Sequence, residues 1–268
     1  MTRSILAVAD SDSYVKWAAA TLDTLPELDA SLVVLNSPVH PTPSQLVAAL
    51  AGTRMADLPP ATVRLSQLRR RLRDSPPDVL LLATTGPAAV HVLRSLAGAV
   101  PRPLVVTGLP GMSVPATELA LRYRSTADVF VVHSHREAAE FRALGEKLGI
   151  TPRLVVNRLP YLARRTTGLP HADTSPLRRV LFAPQAMFPQ TREDRTRLLL
   201  ALGRLAESRP DLDVVVKLRG LAGEAQTHHE DLPFDRLVAD HRDAPGVAAL
   251  RIATGPLSQY LSPGTALV

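Results

Sequence analysis

The densest group of reactive side chains begins at the end of the strand-like run Val214–Leu218, in the stretch VVVKLRGLAGEAQTHHEDLPF. Lys217 and Arg219 are two residues apart, so in a strand they would point to the same face. Gly220 allows the next loop to approach a ligand closely. The loop then supplies a carboxylate, a hydroxyl and two imidazoles, from Glu224, Thr227, His228 and His229. Such groups suit a substrate with a phosphate or carboxylate, and Glu224 or His228 could transfer a proton.

A metal site is a second interpretation of the same stretch, with His228, His229 and the acidic residues after them as ligands. Consecutive residues cannot all converge on one ion, and the HExxH motif does not occur, so we predict no metal. A third interpretation is a solvated loop whose charges pair with one another. We favour a functional loop because so many polar side chains cluster in so few residues.

Carboxylates also follow the first strand-like run, Ser4–Ala9, in the segment ADSDSYVKW. Ligands of open α/β sheets bind at the carboxyl edge of the strands, so Asp10 or Asp12 is a candidate general base there. The structural alternative is a turn in which Asp12 caps the following helix. A second segment of this kind, TTGPAAVH at Thr84–His91, is typical of a plain connection from strand to helix.

Other predicted strand ends carry turns that could approach a ligand. TGLPGM contributes Gly108 and Gly111, which would bring the backbone close to a ligand or form a simple tight turn. LFAPQAMFPQ contributes Gln185, which could contact a donor molecule. In VVHSHREAAEF, Ser134 and Glu137 have the spacing of a capping box at a helix start.

The composition of the 268 residues, 46% hydrophobic and 21% charged, is that of a globular protein. Cysteine does not occur, which excludes disulfides and thiolate chemistry and favours the cytosol, so we expect a cytoplasmic protein. No stretch approaches the ~20 apolar residues of a membrane span.

The net charge is +6, but LRRRLRD is the only dense basic run, and aromatic residues, on which bases could stack, make up only 4%. We therefore predict no nucleic-acid partner. The positive charge leaves peripheral membrane contact open.

Apolar runs without alternation recur between helical patterns, which predicts parallel strands covered on both faces. We predict an α/β protein with two Rossmann-like domains, at residues 1–157 and 178–268, joined by a proline-containing linker at 158–177. The phosphate-binding motifs GxGxxG and GxxxxGK[ST] do not occur. The second domain has few strands and the sequence stops at LSPGTALV, so we expect that domain to be incomplete.

The segment RRVLFAPQAMFPQTREDRTRLLLALGRLAESRPDLDVVVKLRGLAGEAQTHHEDLPF resembles the C-terminal half of an actinobacterial family of GT-B glycosyltransferases. The segments PGM, RSTADVFVVHSHRE and ADSDSY are also similar to that family. More distantly, the chain resembles polysialyltransferase-like proteins and glycerophosphotransferases. The resemblance covers most of the chain and is most specific through KLRG and GEAQTHHE. It supports truncation at the C-terminus, because related proteins continue with a serine/threonine-rich turn and a helix.

The resemblance implies two Rossmann-like domains with a cleft for donor and acceptor between them. It implies a nucleotide-sugar as co-substrate, no further cofactor and no obligatory metal. The donor would bind mainly to the C-terminal domain, near Lys217, Arg219 and His228 or His229. Asp10 or Asp12 would face a glycan or lipid-linked acceptor on the N-terminal domain.

We therefore predict a glycosyltransferase that moves a sugar or related unit from a nucleotide-activated donor to a cell-envelope or secondary-metabolite acceptor. One alternative is a nucleotide-sugar epimerase on the same fold, which would need a carboxylate pair converging on the sugar. Another is a non-catalytic homologue that binds a nucleotide or a sugar. A truncated chain could itself be inactive.

Overall fold

The structure, a computed structural model, describes residues 3–163, 175–185, 189, 191–218, 232–255 and 257–268. The chain divides into two compact units, Met1–Leu169 and Pro170–Val268. The boundary falls within the predicted linker, whose residues 160–163 form a short helix of the first unit. The domain bounds 1–157 and 178–268, the linker at 158–177 and the incompleteness of the second domain stay predictions.

The first unit is built on a seven-stranded parallel sheet with the order β3-β2-β1-β4-β5-β6-β7. Its strands are β1 (Ser4–Ala9), β2 (Asp29–Leu35), β3 (Ala61–Val63), β4 (Val79–Ala83), β5 (Leu104–Gly108), β6 (Val129–Val132) and β7 (Leu154–Val156). Its helices are α1 (Asp12–Asp23), α2 (Pro43–Leu50), α3 (Leu65–Asp74), α4 (Gly86–Ser95), α5 (Glu118–Arg122), α6 (His135–Leu148) and α7 (Pro160–Ala163). This confirms the predicted parallel α/β architecture.

Strand β1 shows why its sequence is apolar without alternation. Ile5, Ala7 and Ala9 lie in a core cluster with α1, whereas Leu6 and Val8 lie in a second cluster with α3 and α4. Because successive side chains of a strand point to opposite faces, helices on both faces require apolar residues at every position.

The second unit contains a four-stranded sheet with the order β10-β9-β8-β11, and every neighbouring pair in it is parallel. Its strands are β8 (Arg179–Phe182), β9 (Asp213–Lys217), β10 (Arg251–Ala253) and β11 (Thr265–Leu267). The helices are α8 (Arg192–Ser208) and α9 (Phe234–Asp240), with 3-10 turns at Val247–Ala249 and Leu257–Gln259. Thr191 caps helix α8, because its hydroxyl accepts a hydrogen bond from the N–H of Asp194.

Three local expectations are corrected by the structure. Helix α1 begins at Asp12 after Ser11, so Asp12 is its first helical residue and not its cap. The spacing of residues 62–73 predicts a helix over the whole segment, but the structure begins it with the edge strand β3, because Ala61–Val63 pairs with β2. The apolar run at residues 248–252 predicts a strand there, but the structure places the strand at Arg251–Ala253, after a 3-10 turn.

Candidate functional site

The carboxyl edge of the first sheet gathers the polar turns that the sequence analysis singled out. The strand order changes direction between β1 and β4, because β2 and β3 lie on one side of β1 and β4 to β7 on the other. Ligands of doubly wound sheets bind outside the carboxyl ends of the strands at such a switch point. Asp10 follows β1 and Thr84 follows β4, so these two turns border the switch point of this sheet.

Asp10 and Thr85 join the two turns directly. The carboxylate of Asp10 accepts hydrogen bonds from the backbone N–H of Thr85, at 2.9 and 3.0 Å, and from its hydroxyl. Thr85 is the residue before α4, so the acid lies at the positive end of that helix. The side chain of Asp10 is fully buried. Asp10 thus links the turn after β1 to the turn after β4, and both of its carboxylate oxygens accept hydrogen bonds.

Burial raises the pKa of the Asp10 carboxyl, while the hydrogen bonds from Thr85 and the charge of Arg124 oppose the rise. Arg124 is itself 4% exposed and donates to the hydroxyl of Tyr14 at 2.7 Å and to the carbonyl of Thr84 at 2.8 Å. Burial likewise raises the pKa of the Tyr14 hydroxyl. A cluster of buried ionisable groups with perturbed pKa values is typical of functional sites.

Asp12 differs from Asp10 in its accessibility. It is half-buried at the first position of α1, and the hydroxyl of Ser13 donates to its carboxylate at 3.4 Å. In the part of the chain that the structure describes, the buried hydroxyls of Ser11 and Thr84 have no hydrogen-bond partner. An unsatisfied buried hydroxyl is unfavourable, so these two groups could accept a bond from water or from a bound hydroxyl.

Gly108 ends β5 and lies against Trp17 of α1. A Cβ at this glycine would be 2.6 Å from the Trp17 ring, so the backbone approaches the indole more closely than any other residue would allow. Gly111, by contrast, has open space around its Cβ position. The close approach expected of the TGLPGM turn is therefore made by Gly108, and its partner is a side chain of the same unit.

The loop after β5 is fastened to the neighbouring elements by side chains. The buried carboxylate of Glu137 accepts hydrogen bonds from the N–H groups of Ser113, at 2.8 Å, and His133, at 2.6 Å. Glu140 accepts from the N–H of Ala116 at 2.8 Å, which lowers the pKa of its carboxyl. The Tyr161 hydroxyl donates to the carbonyl of Pro110. These hydrogen bonds thus join the loop after β5 to α6 and α7.

His133 and Ser134 follow β6 at the same edge. The Ser134 hydroxyl caps α6 by accepting from the N–H of Glu137 at 3.1 Å, as predicted. The reciprocal bond of a capping box is replaced, because the carboxylate of Glu137 bonds to the N–H of His133 instead. The two ring nitrogens of His133 lie 3.0 and 2.8 Å from the carbonyls of Asn157 and Leu109.

In the second sheet the order changes direction between β8 and β11. Gln185 follows β8 at this switch point, and its side chain is exposed. The buried guanidinium of Arg195 fixes the backbone around it. Arg195 donates to the carbonyls of Gln185 at 3.1 Å, Pro189 at 2.8 Å and Leu232 at 2.6 Å, so it joins the turn after β8 to the segment before α9.

Lys217 ends β9, one strand from the switch point, and its ammonium donates to the carbonyl of Leu218 at 2.6 Å. The other residues predicted for this site are outside the described ranges, so the structure does not place them. They are Arg219, Gly220, Glu224, Thr227, His228 and His229. Their roles stay predictions.

Three buried charged residues were not predicted as parts of either edge: Arg124, Glu137 as a loop anchor, and Arg195. Arg195 carried a signal that could have found it, because it is in helical phase with the buried residues Leu199, Leu202 and Ala206. An arginine on the apolar stripe of a helix must find acceptors inside the protein. Arg124 carried no such signal, since its partner Tyr14 is 110 residues away along the chain.

Within the described ranges, no three His, Asp or Glu side chains lie together in a way that could hold a metal ion. None of the helices in those ranges is both long enough and apolar enough to cross a membrane.

Solved structures of GT-B enzymes share this fold. The UDP-GlcNAc 2-epimerase from Neisseria meningitidis bound to UDP-GlcNAc has a TM-score of 0.57 and 12% identity, over 95% of this chain and 73% of the epimerase. The pneumococcal O-GlcNAc transferase GtfA, in complex with UDP and GlcNAc, has a TM-score of 0.56 and 10% identity, over 96% of this chain and 77% of GtfA. MnaA from S. aureus, solved with UDP, has a TM-score of 0.56 and 12% identity, over 95% of this chain and 69% of MnaA. At these identities the similarity shows the fold, and it confirms the GT-B-like α/β class.

The sequence itself identifies the family. Residues 5–268 match DUF6716, which is described as "Putative glycosyltransferase", and the chain belongs to this family. A search of curated proteins finds no match. The expected actinobacterial origin and the likeness to polysialyltransferases stay predictions.

Proposed function

We propose that this protein transfers a sugar from a nucleotide-activated donor to a hydroxyl group of an acceptor. The observation that carries the proposal is the match to a glycosyltransferase family along residues 5–268. The arrangement of both sheets supports it, because each has polar side chains at its carboxyl edge, where α/β folds bind ligands. The epimerase from Neisseria meningitidis was solved with UDP-GlcNAc, and GtfA was solved with UDP and GlcNAc. A uridine nucleotide is therefore the first donor to test.

The acceptor site of this proposal is the switch point of the first sheet. Asp12 is the general base, since it is half-buried at the edge, whereas both oxygens of Asp10 are occupied by Thr85. Asp10 is then a positioning residue, which holds the turn after β4 against the turn after β1. The buried hydroxyls of Ser11 and Thr84 lie at the same edge, and in the described part of the chain they have no hydrogen-bond partner. Gly108 and Gly111 shape the neighbouring loop.

The donor site is the carboxyl edge of β8 and β9. Lys217 and Arg219 bind the diphosphate, with Gln185, Gly220, Thr227 and His229 around the nucleotide. In the transfer step the acceptor oxygen forms a bond to the anomeric carbon of the sugar. The bond from that carbon to the donor phosphate breaks, and the phosphate leaves as a nucleotide. The acceptor proton passes to Asp12, and the basic side chains stabilise the charge on the leaving phosphate. His228 and Glu224 are the alternative proton acceptors.

The test is equilibrium binding of UDP, CDP, GDP and ADP by calorimetry, followed by product analysis with the radiolabelled sugar conjugate of whichever nucleotide binds. We expect one nucleotide to bind and K217Q to weaken it by at least tenfold. The matched control is K147Q, which removes a lysine charge from the exposed surface of α6. Binding of none of the nucleotides, or equal loss in both variants, would overturn the donor site.

Product analysis separates transfer from the two alternatives. Label that appears on a new acceptor supports a glycosyltransferase. Label that stays on the nucleotide with an inverted sugar centre indicates an epimerase, and nucleotide binding without turnover for any acceptor indicates a binding protein. Both of the latter results contradict the transferase proposal. A carboxylate pair converging on a sugar, which an epimerase would need, is not found at the described part of the first edge, since Asp10 is turned to Thr85.

A further inference from the structure

A basic groove lies on the first unit, away from the carboxyl edge. It is formed by α3 and by the turn that leads from α4 to β5, so it lies near the amino ends of the strands. The groove has a volume of about 560 Å³. Arg69 and Arg73 of α3 and Arg94 of α4 line it, together with the turn at 95–101.

The three arginines are exposed and carry more charge than the neighbouring acids balance. Arg69 and Arg73 are one helical turn apart, so they share a face of α3. Arg73 pairs with Asp74 at 3.1 Å. Within residues 3–163 and the other described ranges, Arg69 and Arg94 form no ion pair. Like charges at this spacing repel one another, and a bound anion would remove that repulsion.

The buried side of α3 does not include these arginines. Helix α3 packs on the sheet through Leu68 and Leu72, which are 1% and 4% exposed. Arg69 and Arg73 lie on its outer surface, and Arg73 and Arg94 lie in the last turns of α3 and α4, where the helix dipole also favours a cation. The guanidinium group is planar and presents several donors in a fixed geometry, which matches the oxygens of phosphate.

The turn after α4 adds an apolar and a main-chain component. Val100 is 94% exposed at the groove, beside the buried side chain of Leu96. Among the described residues, the backbone N–H groups of Gly98 and Val100 have no acceptor. Aromatic side chains do not line the groove, so it offers no surface on which a base could stack. The groove therefore suits a phosphate group and not a nucleobase.

We propose that this groove binds a phosphate group, either of an anionic lipid headgroup or of a small soluble phosphate, through Arg69, Arg73 and Arg94. The groove lies near the amino ends of the strands of the first sheet and not at their carboxyl edge, so the proposal does not depend on the glycosyltransferase function. Both sources present the same chemistry to the arginines, and they differ in what surrounds the phosphate.

The experiment compares the wild-type protein with two triple variants. R69Q/R73Q/R94Q removes the groove, and R142Q/R153Q/R204Q removes the same charge from exposed positions elsewhere. The probes are vesicles of phosphatidylcholine with about 30% phosphatidylglycerol, whose surface is anionic, and inorganic pyrophosphate in solution. Vesicle binding is measured by co-sedimentation and pyrophosphate binding by calorimetry. Melting curves check that both variants fold.

We expect the groove variant to lose at least tenfold in affinity for one of the probes, and the control variant to lose less than threefold. Loss for vesicles assigns the site to lipid headgroups, and loss for pyrophosphate alone assigns it to a soluble phosphate. Binding of neither probe by the wild-type protein overturns the proposal. Equal losses in the two variants also overturn it, because they would reflect net charge only.

Discussion

Asp10 accepts hydrogen bonds from both the backbone N–H and the hydroxyl of Thr85, which lies 75 residues further along the chain. This contact joins the ends of β1 and β4 where the strand order changes direction. An acid at the switch point of a doubly wound sheet is usually considered for a ligand. Here both of its oxygens bond to the protein, and the proposed base is the half-buried Asp12, two residues on.

The first prediction concerns the Asp10–Thr85 contact. We expect T85V to lower the free energy of unfolding of the first unit by about 1–3 kcal/mol, because a buried carboxylate loses a donor. T85S keeps the hydroxyl and should retain most of the stability. Urea unfolding followed by fluorescence is a suitable measurement, since Trp17 is the only tryptophan and is buried in this unit. Equal destabilisation by the two variants would show that the hydroxyl does not contribute.

The second prediction is a pH dependence of opposite sign for two aspartates. Burial raises the pKa of Asp10 above its ordinary value of 3.8. Its contribution to stability is therefore complete below pH 3.8 and falls as the pH rises through the folded pKa. Hydrogen bonds from Arg251 lower the pKa of Asp213, which also bonds to Arg179. Its contribution is present above pH 3.8 and falls as the pH drops through the folded pKa.

Paired variants test these signs. The stability difference between wild type and D10N should shrink as the pH rises from 3 to about 7, because the wild-type contribution is lost in that direction. The difference between wild type and D213N should grow over the same range. Equilibrium unfolding at each pH measures both, with Trp17 fluorescence for the first unit and hydrogen exchange of β9 for the second. A parallel trend in the two pairs would contradict the assignment.

The third prediction separates the two glycines of the loop after β5. In G108A the new Cβ would lie 2.6 Å from the Trp17 ring, so we expect a loss of about 1–3 kcal/mol of stability and a changed emission of Trp17. In G111A the Cβ meets open space, and the change should stay within about 0.5 kcal/mol. Unfolding curves of the two variants compare them directly. Equal stability of both would show that the indole moves aside without cost.

The fold was largely predictable because burial on both faces leaves a simple trace in the sequence. Leu80, Leu81 and Leu82 of β4 are all buried, and such a run without alternation indicates a covered parallel strand. The short strand β3 was missed, since its residues 61–63 lie at an edge and are mostly exposed, and they therefore carry no apolar signal.

The site was predictable only as far as topology determines it. Strand ends indicated that Asp10, Gly108 and Gln185 lie at carboxyl edges, and they do. The partner of each side chain was not predictable. The contact of Asp10 with Thr85 and that of Gly108 with Trp17 join segments that are far apart in the sequence, and no local pattern records them.

The fourth prediction tests the proposed base. We expect D12N to lower kcat by about 10²–10⁴-fold, because the acceptor proton loses its receiver. Donor binding should be unchanged, since Asp12 belongs to the acceptor side of the proposal. D57N, at an exposed position of the same unit, is the matched control. If D12N keeps full turnover, the base is another residue, and E224Q and H228Q are the next variants to measure.

The fifth prediction concerns Arg195 as a positioning residue. R195M leaves the carbonyls of Gln185, Pro189 and Leu232 without their donor, so we expect a loss of about 2–4 kcal/mol of stability in the second unit. The guanidinium also packs against the ring of Phe234, at 5.2 Å from its centroid. Methionine can keep an apolar contact with this ring, but it has no donors for the three carbonyls. R197M is the control, because Arg197 forms exposed ion pairs on the same helix.

Under conditions where both variants are folded, R195M should speed hydrogen exchange in residues 183–185 and 232–234. It should also weaken nucleotide binding at least tenfold, with R197M close to wild type in both. A purely structural role would lower stability without the change in nucleotide affinity, and that outcome would contradict positioning of the donor site by Arg195.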